Sequence, residues 1–192
     1  NALELHERAL GVLRRAAPPS PERICEVLLF KEAMLERLGR RAEQLATIEE
    51  AAAIAATLPD PTQMATVMLR KAGAIAYIGE GDGHPARLEA QRAAQRALEI
   101  FRELADQPGE AEAMRELGFV AWRAGDHSGA LLHSREALAL HRRLGDLTGE
   151  ASALHNLGEI HRGLGSPRHA LDWYGQALPL HFVSADINGD RR

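Results

Sequence analysis

Apolar side chains along the chain recur every three to four residues and are never strictly alternating, which is the spacing of one buried stripe on an α-helix. The pattern predicts helices at about 3–16, 21–38, 41–57, 61–78, 86–104, 109–124, 127–143, 148–164 and 167–180. Helix starts are punctuated by Ser20-Pro21, Asp60-Pro61 and Ser166-Pro167, where an oxygen-bearing cap precedes proline in the first turn. His84-Pro85 is a weaker version of the same signal. Gly39, Gly79, Gly125 and Gly165 stand where helices should stop, since glycine takes the left-handed conformation without strain. Composition agrees: 34 Ala and 27 Leu stand against only 18 β-branched residues, which favours helices and starves strands. With eight aromatic residues in 192, the core must be built from Ala and Leu at close helix contacts.

The chain also resembles itself. Asp106–Arg143 laid over Asp146–Val183, a shift of 40, gives 14 identities in 38 positions, among them Gly109/Gly149, Leu117/Leu157, Gly118/Gly158, Gly125/Gly165, Ala130/Ala170, Ala137/Ala177 and His141/His181. Upstream copies are weaker and need about five residues inserted around 79–88. Each unit is a pair of helices that cannot bury its apolar face alone, so the units must stack into one solenoid with one continuous core. The units run as a half repeat at 1–19, repeats at about 20–60, 61–105, 106–145 and 146–183, and a linker-like tail at 184–192. Within a unit Gly118 on the first helix, and Ala130 and Ala137 two turns apart on the second, let the paired backbones close in.

The run Gly149–Gly158, followed by Gly165, Ala170, Leu171, Trp173, Tyr174, Ala177 and Leu178, resembles a tetratricopeptide repeat. The 40-residue length and the linker at 144–150 are similar to the longer variant found in bacterial multidomain regulators, including signal-transduction NTPases and transcription factors. The resemblance is clear in 106–183 and looser from about residue 20. It implies a right-handed all-α solenoid whose first helices line a concave groove holding a protein or peptide. On that face the expected contacts are Arg70 in the helix at 61–78, Arg115, Phe119 and Trp122 in 109–124, and His155, Asn156, Glu159 and Arg162 in 148–164. Asparagine can bond to a peptide backbone in both senses, arginine can hold a carboxylate, and rings can cover apolar side chains. Neither an aromatic core nor a plain solvated face is excluded for these positions. Asn156 is the position where repeats of this type hold ligand backbone; Glu116 stands there one repeat earlier, so there is no asparagine ladder. Loss of Arg115 or Asn156 should then weaken binding and leave the melting temperature unchanged.

Charge and chemistry narrow the class further. A net charge of -4 provides no field for direct nucleic-acid binding, and no apolar run reaches membrane-spanning length. Lone Cys25 lies among Ile24, Val27 and Leu28 and reads as a core residue; without a disulfide the chain is placed in the cytoplasm. Nine histidines lack metal-ligand spacing, and His141 and His181 read as charges at exposed helix C-termini. The glycine cluster at 79–83 lacks the Gly-Lys-Ser/Thr ending of a phosphate loop and reads as loop punctuation. No catalytic constellation, metal or cofactor is implied. The chain starts without Met directly in a helical pattern, which points to a piece of a larger regulator. A peptide-binding interaction module is expected, the alternative being a small-molecule-sensing domain that controls an attached NTPase or DNA-binding domain. Trp173, Tyr174 and Leu178 should be left open at the C-terminal end, where self-association is expected.

Overall fold

The computed structural model describes residues 2–16, 18, 20–78 and 85–189, with side chains for all of these except 78 and 183–189. Nine helices and no strand are present among the described residues: α1 (Ala2–Leu13), α2 (Pro21–Arg37), α3 (Arg41–Ala55), α4 (Pro61–Ile78), α5 (Pro85–Glu103), α6 (Gln107–Arg123), α7 (His127–Leu144), α8 (Leu147–Gly163) and α9 (Pro167–Gly189). The largest departure from expectation is α9, which runs on to Gly189 through Pro179, so residues 184–189 are helix and not linker. Pro179 cannot bond the carbonyl of Gly175, but both residues are exposed and water can take that carbonyl. The glycine cluster at 79–83 and His84 lie outside the described residues.

The helix boundaries follow local chemistry. Asp106, Asp126 and Asp146 each accept a hydrogen bond from the backbone N–H three residues on, at Gly109, Gly129 and Gly149, with lengths of 3.1, 2.9 and 2.9 Å. At Asp126 that bond, with one from Ser128 Oγ, holds the carboxyl below its usual range. Asp60 receives the N–H of Thr62 at 2.9 Å, whereas Ser20 makes no side-chain cap and its hydroxyl turns to Glu22. Gly39, Gly125, Gly145 and Gly165 end their helices with φ of 68–80°. At the matching position one period before Gly145 stands Ala105, held at φ 54°. Because a Cβ there is strained by about 1–2 kcal/mol, Ala105→Gly should raise stability by roughly 0.5–1 kcal/mol after the extra unfolded-chain entropy is subtracted. A denaturant midpoint at or below that of the parent would contradict this.

Each helix packs on its sequence neighbours, and α2, α4, α6 and α8 also touch one another in series. The backbones of α3, α5, α7 and α9 stay apart. A row that touches on one side and splays on the other is a curved solenoid, with the first helices on its inner face. The core is alanine-rich: Ala65, Ala72 and Ala76 of α4 and Ala90, Ala94 and Ala97 of α5 are buried in one cluster with Phe101, Leu117 and Leu140. Cys25 is fully buried with Leu28 and Ile48.

Neighbouring repeats are joined by contacts that recur every 40 residues. Arg102 and Arg142 donate from Nε to Glu110 and Glu150 at 2.9 and 2.7 Å, and Phe101 and His141 sit against Gly109 and Gly149. His141 is therefore buried, not an exposed helix-end charge: its Nδ1 lies 2.9 Å from Asp146 Oδ2, in the first turn of the next repeat. No described helix is long and apolar enough to cross a membrane.

Candidate functional site

The inner face encloses a cavity of about 510 Å³ lined from four helices: Glu32 and Glu36 of α2, Arg70, Gly73 and Tyr77 of α4, Arg115, Glu116, Phe119, Trp122 and Arg123 of α6, and His155, Asn156, Glu159 and Arg162 of α8. The eight side chains expected in the groove all line this one cavity. Elsewhere on α4 and α6, Val67 is in the core, Ala74 is buried and also lines the cavity, Lys71 pairs with Glu89 at 2.8 Å, and Glu112 borders a smaller hollow of about 190 Å³.

Helix geometry sets the floor. Gly73 and Gly118 bring α4, α6 and α7 close, and a Cβ on Gly73 would stand 2.6 Å from Glu116 Oε1. Glu116 is thereby sealed beneath α4. Burial pushes its carboxyl up to about 7, against the pull of Arg115. Arg115 donates from Nε and Nη2 to Glu112 at 2.9 and 2.6 Å and from Nη2 to Glu116 at 3.1 Å. Burial works against the Arg115 charge, but these carboxylates hold its pKa above the usual value. Burial would likewise raise Glu112, yet Arg115 keeps it low. Arg115 is thus part of the framework as well as of the wall, so its loss should cost stability, contrary to the sequence expectation.

The aromatic residues have a double role. The Tyr77 and Phe119 rings lie 5.1 Å apart, and Arg41 sits 4.5 Å over Tyr77. Trp122 packs on Gly163 of α8 and, at 5.3 Å, on His127. Both Phe119 and Trp122 are half-buried: one side fills the contact between repeats and the other faces the cavity. At the α8 end, Arg162 bonds Glu159 at 2.6 Å, and Tyr174 donates its hydroxyl to the same carboxylate, which these two bonds keep below the usual range. Tyr174 is thus half-buried, with its ring on Gly158, and Trp173 joins the terminal core. Leu171, Leu178 and Phe182 are the open apolar side chains at that end. Asn156 Nδ2 is buried at the cavity wall with no hydrogen-bond partner among the described residues.

Sequence reasoning missed Glu32, Glu36 and the enclosing role of Glu116. The signal was present, since α2 is also a first helix, but the groove register was not carried back to it. A family model of the tetratricopeptide repeat matches residues 87–143 and 133–181, a span that includes α6 and α8 of the cavity wall. The chain is a tetratricopeptide repeat protein.

Solved structures extend that fold over the upstream repeats. This tetratricopeptide repeat protein is similar to BtubC (BKLC) from P. vanneervenii, with 20% identity and a TM-score of 0.69 over 97% of this chain and 73% of that one. It is also similar to a Rap protein solved in complex with competence and sporulation factor, with 16% identity and a TM-score of 0.71 over 93% of this chain. The chain spans about half the Rap protein's length, 52%. No curated protein matches it. Among the described residues no cluster of three or more His, Cys, Asp or Glu could hold a metal ion.

Proposed function

We propose that this protein is a binding scaffold, not a catalyst, and that it takes an extended peptide along α2, α4, α6 and α8 as the interaction module of a larger cytoplasmic bacterial regulator. The observation that carries this is the cavity of about 510 Å³, whose lining includes the rings of Tyr77, Phe119 and Trp122 and the unpartnered amide donor of Asn156. Rings cover an apolar side chain, and Asn156 meets a backbone carbonyl that would otherwise have to be left unbonded. The Rap protein, which shares this fold and was solved in complex with competence and sporulation factor, supports the same use. Direct contact with nucleic acid or a membrane is not part of the proposal. The open Leu171, Leu178 and Phe182 are where a second copy would associate.

The test is a short-peptide array probed with the parent, Asn156→Ala and Phe119→Ala. Asn156→Ala should weaken binding about tenfold, the value of one lost hydrogen bond at a buried site, with little change in melting temperature. Equal affinities in all three proteins would remove the groove from consideration. The same volume falls within the range of small-molecule pockets, so a metabolite-sensing role is the second reading. A panel of metabolites that raises the melting temperature while no peptide binds would favour it.

A further inference from the structure

The α2 end of the cavity holds a carboxylate of which the repeat fold bonds only one oxygen. Glu32 is buried to 1% exposure and lies in the middle of α2, away from either helix end. Its Oε1 accepts from Gln44 Nε2 at 2.6 Å, and Gln44, itself buried, accepts at Oε1 from Arg41 at 2.7 Å. This relay from α3 fixes the carboxylate from behind. Glu32 lines the cavity, and its other oxygen, Oε2, is buried with no hydrogen-bond partner among the described residues. Arg70 Nε is 3.9 Å from it, beyond hydrogen-bond reach. Protonation would not solve the problem, because a buried O–H would equally lack a partner.

The surrounding charges give the sign of the missing group. Glu36, one turn along α2, and Glu116, across on α6, line the same cavity. The arginines nearby are engaged: Arg115 with Glu112 and Glu116, Arg162 with Glu159, and Arg123 with the carbonyl of Ala76 at 3.2 Å. The proximity of Glu36 and Arg70 acts on both Glu32 and Glu116, so the three acids and Arg70 form one electrostatic neighbourhood. Burial is the main cause that raises both carboxyls, and the nearby arginines only partly offset it.

We propose that Glu32, held by Gln44 and flanked by Glu36 and Glu116, forms a subsite for a cationic group of the bound peptide, an ammonium or guanidinium that donates to Glu32 Oε2. This rests on the groove reading above and specifies it: the peptide carries its positive charge at the α2 end and offers a backbone carbonyl to Asn156 toward α8. Arg70, 45% exposed, swings outward as the ligand's cation enters.

The experiment is a short-peptide array in which each position is varied through Arg, Lys, citrulline, Asp, Leu and Ala, with free and acetylated N-termini. It is read with the parent, Glu32→Gln and Glu36→Gln, each checked for folding by thermal melting. The parent should prefer a cationic peptide about tenfold over its neutral counterpart, and Glu32→Gln should reduce that preference to about twofold or less. Loss on acetylation identifies the terminal ammonium as the source; loss on exchange of arginine for citrulline identifies a side chain. Should Glu32→Gln not fold, a reduced preference in Glu36→Gln carries the proposal, and an unchanged one overturns it. Peptides that bind without regard to charge, or a preference intact in the folded variants, overturn the subsite while the groove stands. Failure of every peptide to bind the parent removes both.

Discussion

Gly118→Ala should force α6 and α7 apart and lower stability by about 2 kcal/mol, a fall of roughly 4–8 °C in Tm for a chain of this size. A Cβ at this position would stand 2.5 Å from Ser134 Oγ, 3.1 Å from Ser134 N and 3.4 Å from the carbonyl oxygen of Ala130. The hydroxyl could rotate, but the backbone of α7 cannot yield without opening the seam around Ala130 and Ala137, both fully buried. The gain of up to about 1 kcal/mol that alanine brings to a helix interior offsets part of this loss. Gly175→Ala isolates that gain, because nothing lies within 4 Å of its added Cβ. It should raise stability by about 0.5–1 kcal/mol. A Gly118→Ala protein at least as stable as the parent would show that the seam is not closed at this glycine.

Glu116→Gln should remove the contribution of this group to the dependence of stability on pH between about 4.3, where an unfolded glutamate titrates, and about 7, where the folded one does. The folded carboxyl has the higher pKa, so in that window the folded chain binds more protons than the unfolded one. Stability of the parent therefore falls as pH rises through the window and is level above it. Glutamine bears no charge to desolvate and can still accept from Arg115, which keeps its two bonds to Glu112. At pH 8 the variant should be the more stable by up to about 3 kcal/mol, with the difference vanishing near pH 4. Urea midpoints at pH 5 and pH 8 measure it. Parallel slopes for the two proteins would mean that Glu116 is ionised in the folded state throughout the window.

These two positions differ in how far the sequence exposes them. Gly118 was legible, because it recurs at Gly158 and faces Ala130 and Ala137 at helical spacing. Arg70, Arg115, Phe119, Trp122, His155, Asn156, Glu159 and Arg162 were legible as one face for the same reason, and they share one cavity. Glu116 was visible only as the residue that replaces the asparagine, and Glu32 was not visible as a site residue. His141 was misplaced at an exposed helix end, since its period matches that of His181 but its burial depends on the next repeat's Gly149. The last helix was cut short because a proline and a linker-like composition were given more weight than the exposed surface that tolerates them.

Helix periodicity, the 40-residue repeat and the small residues at its seams are properties of neighbours along the chain, so the amino-acid order alone determined an all-α stack of paired helices, and the resemblance to a repeat family implied the face it turns inward. The environment of a buried carboxylate is not such a property. Glu32 depends on Gln44 and Arg41 behind it and Arg70 beside it, and Glu116 on Gly73 above it, groups contributed by different helices. Desolvation and the count of unsatisfied hydrogen bonds come into being only when those helices pack, which is why the tertiary structure alone decided the chemistry of the groove.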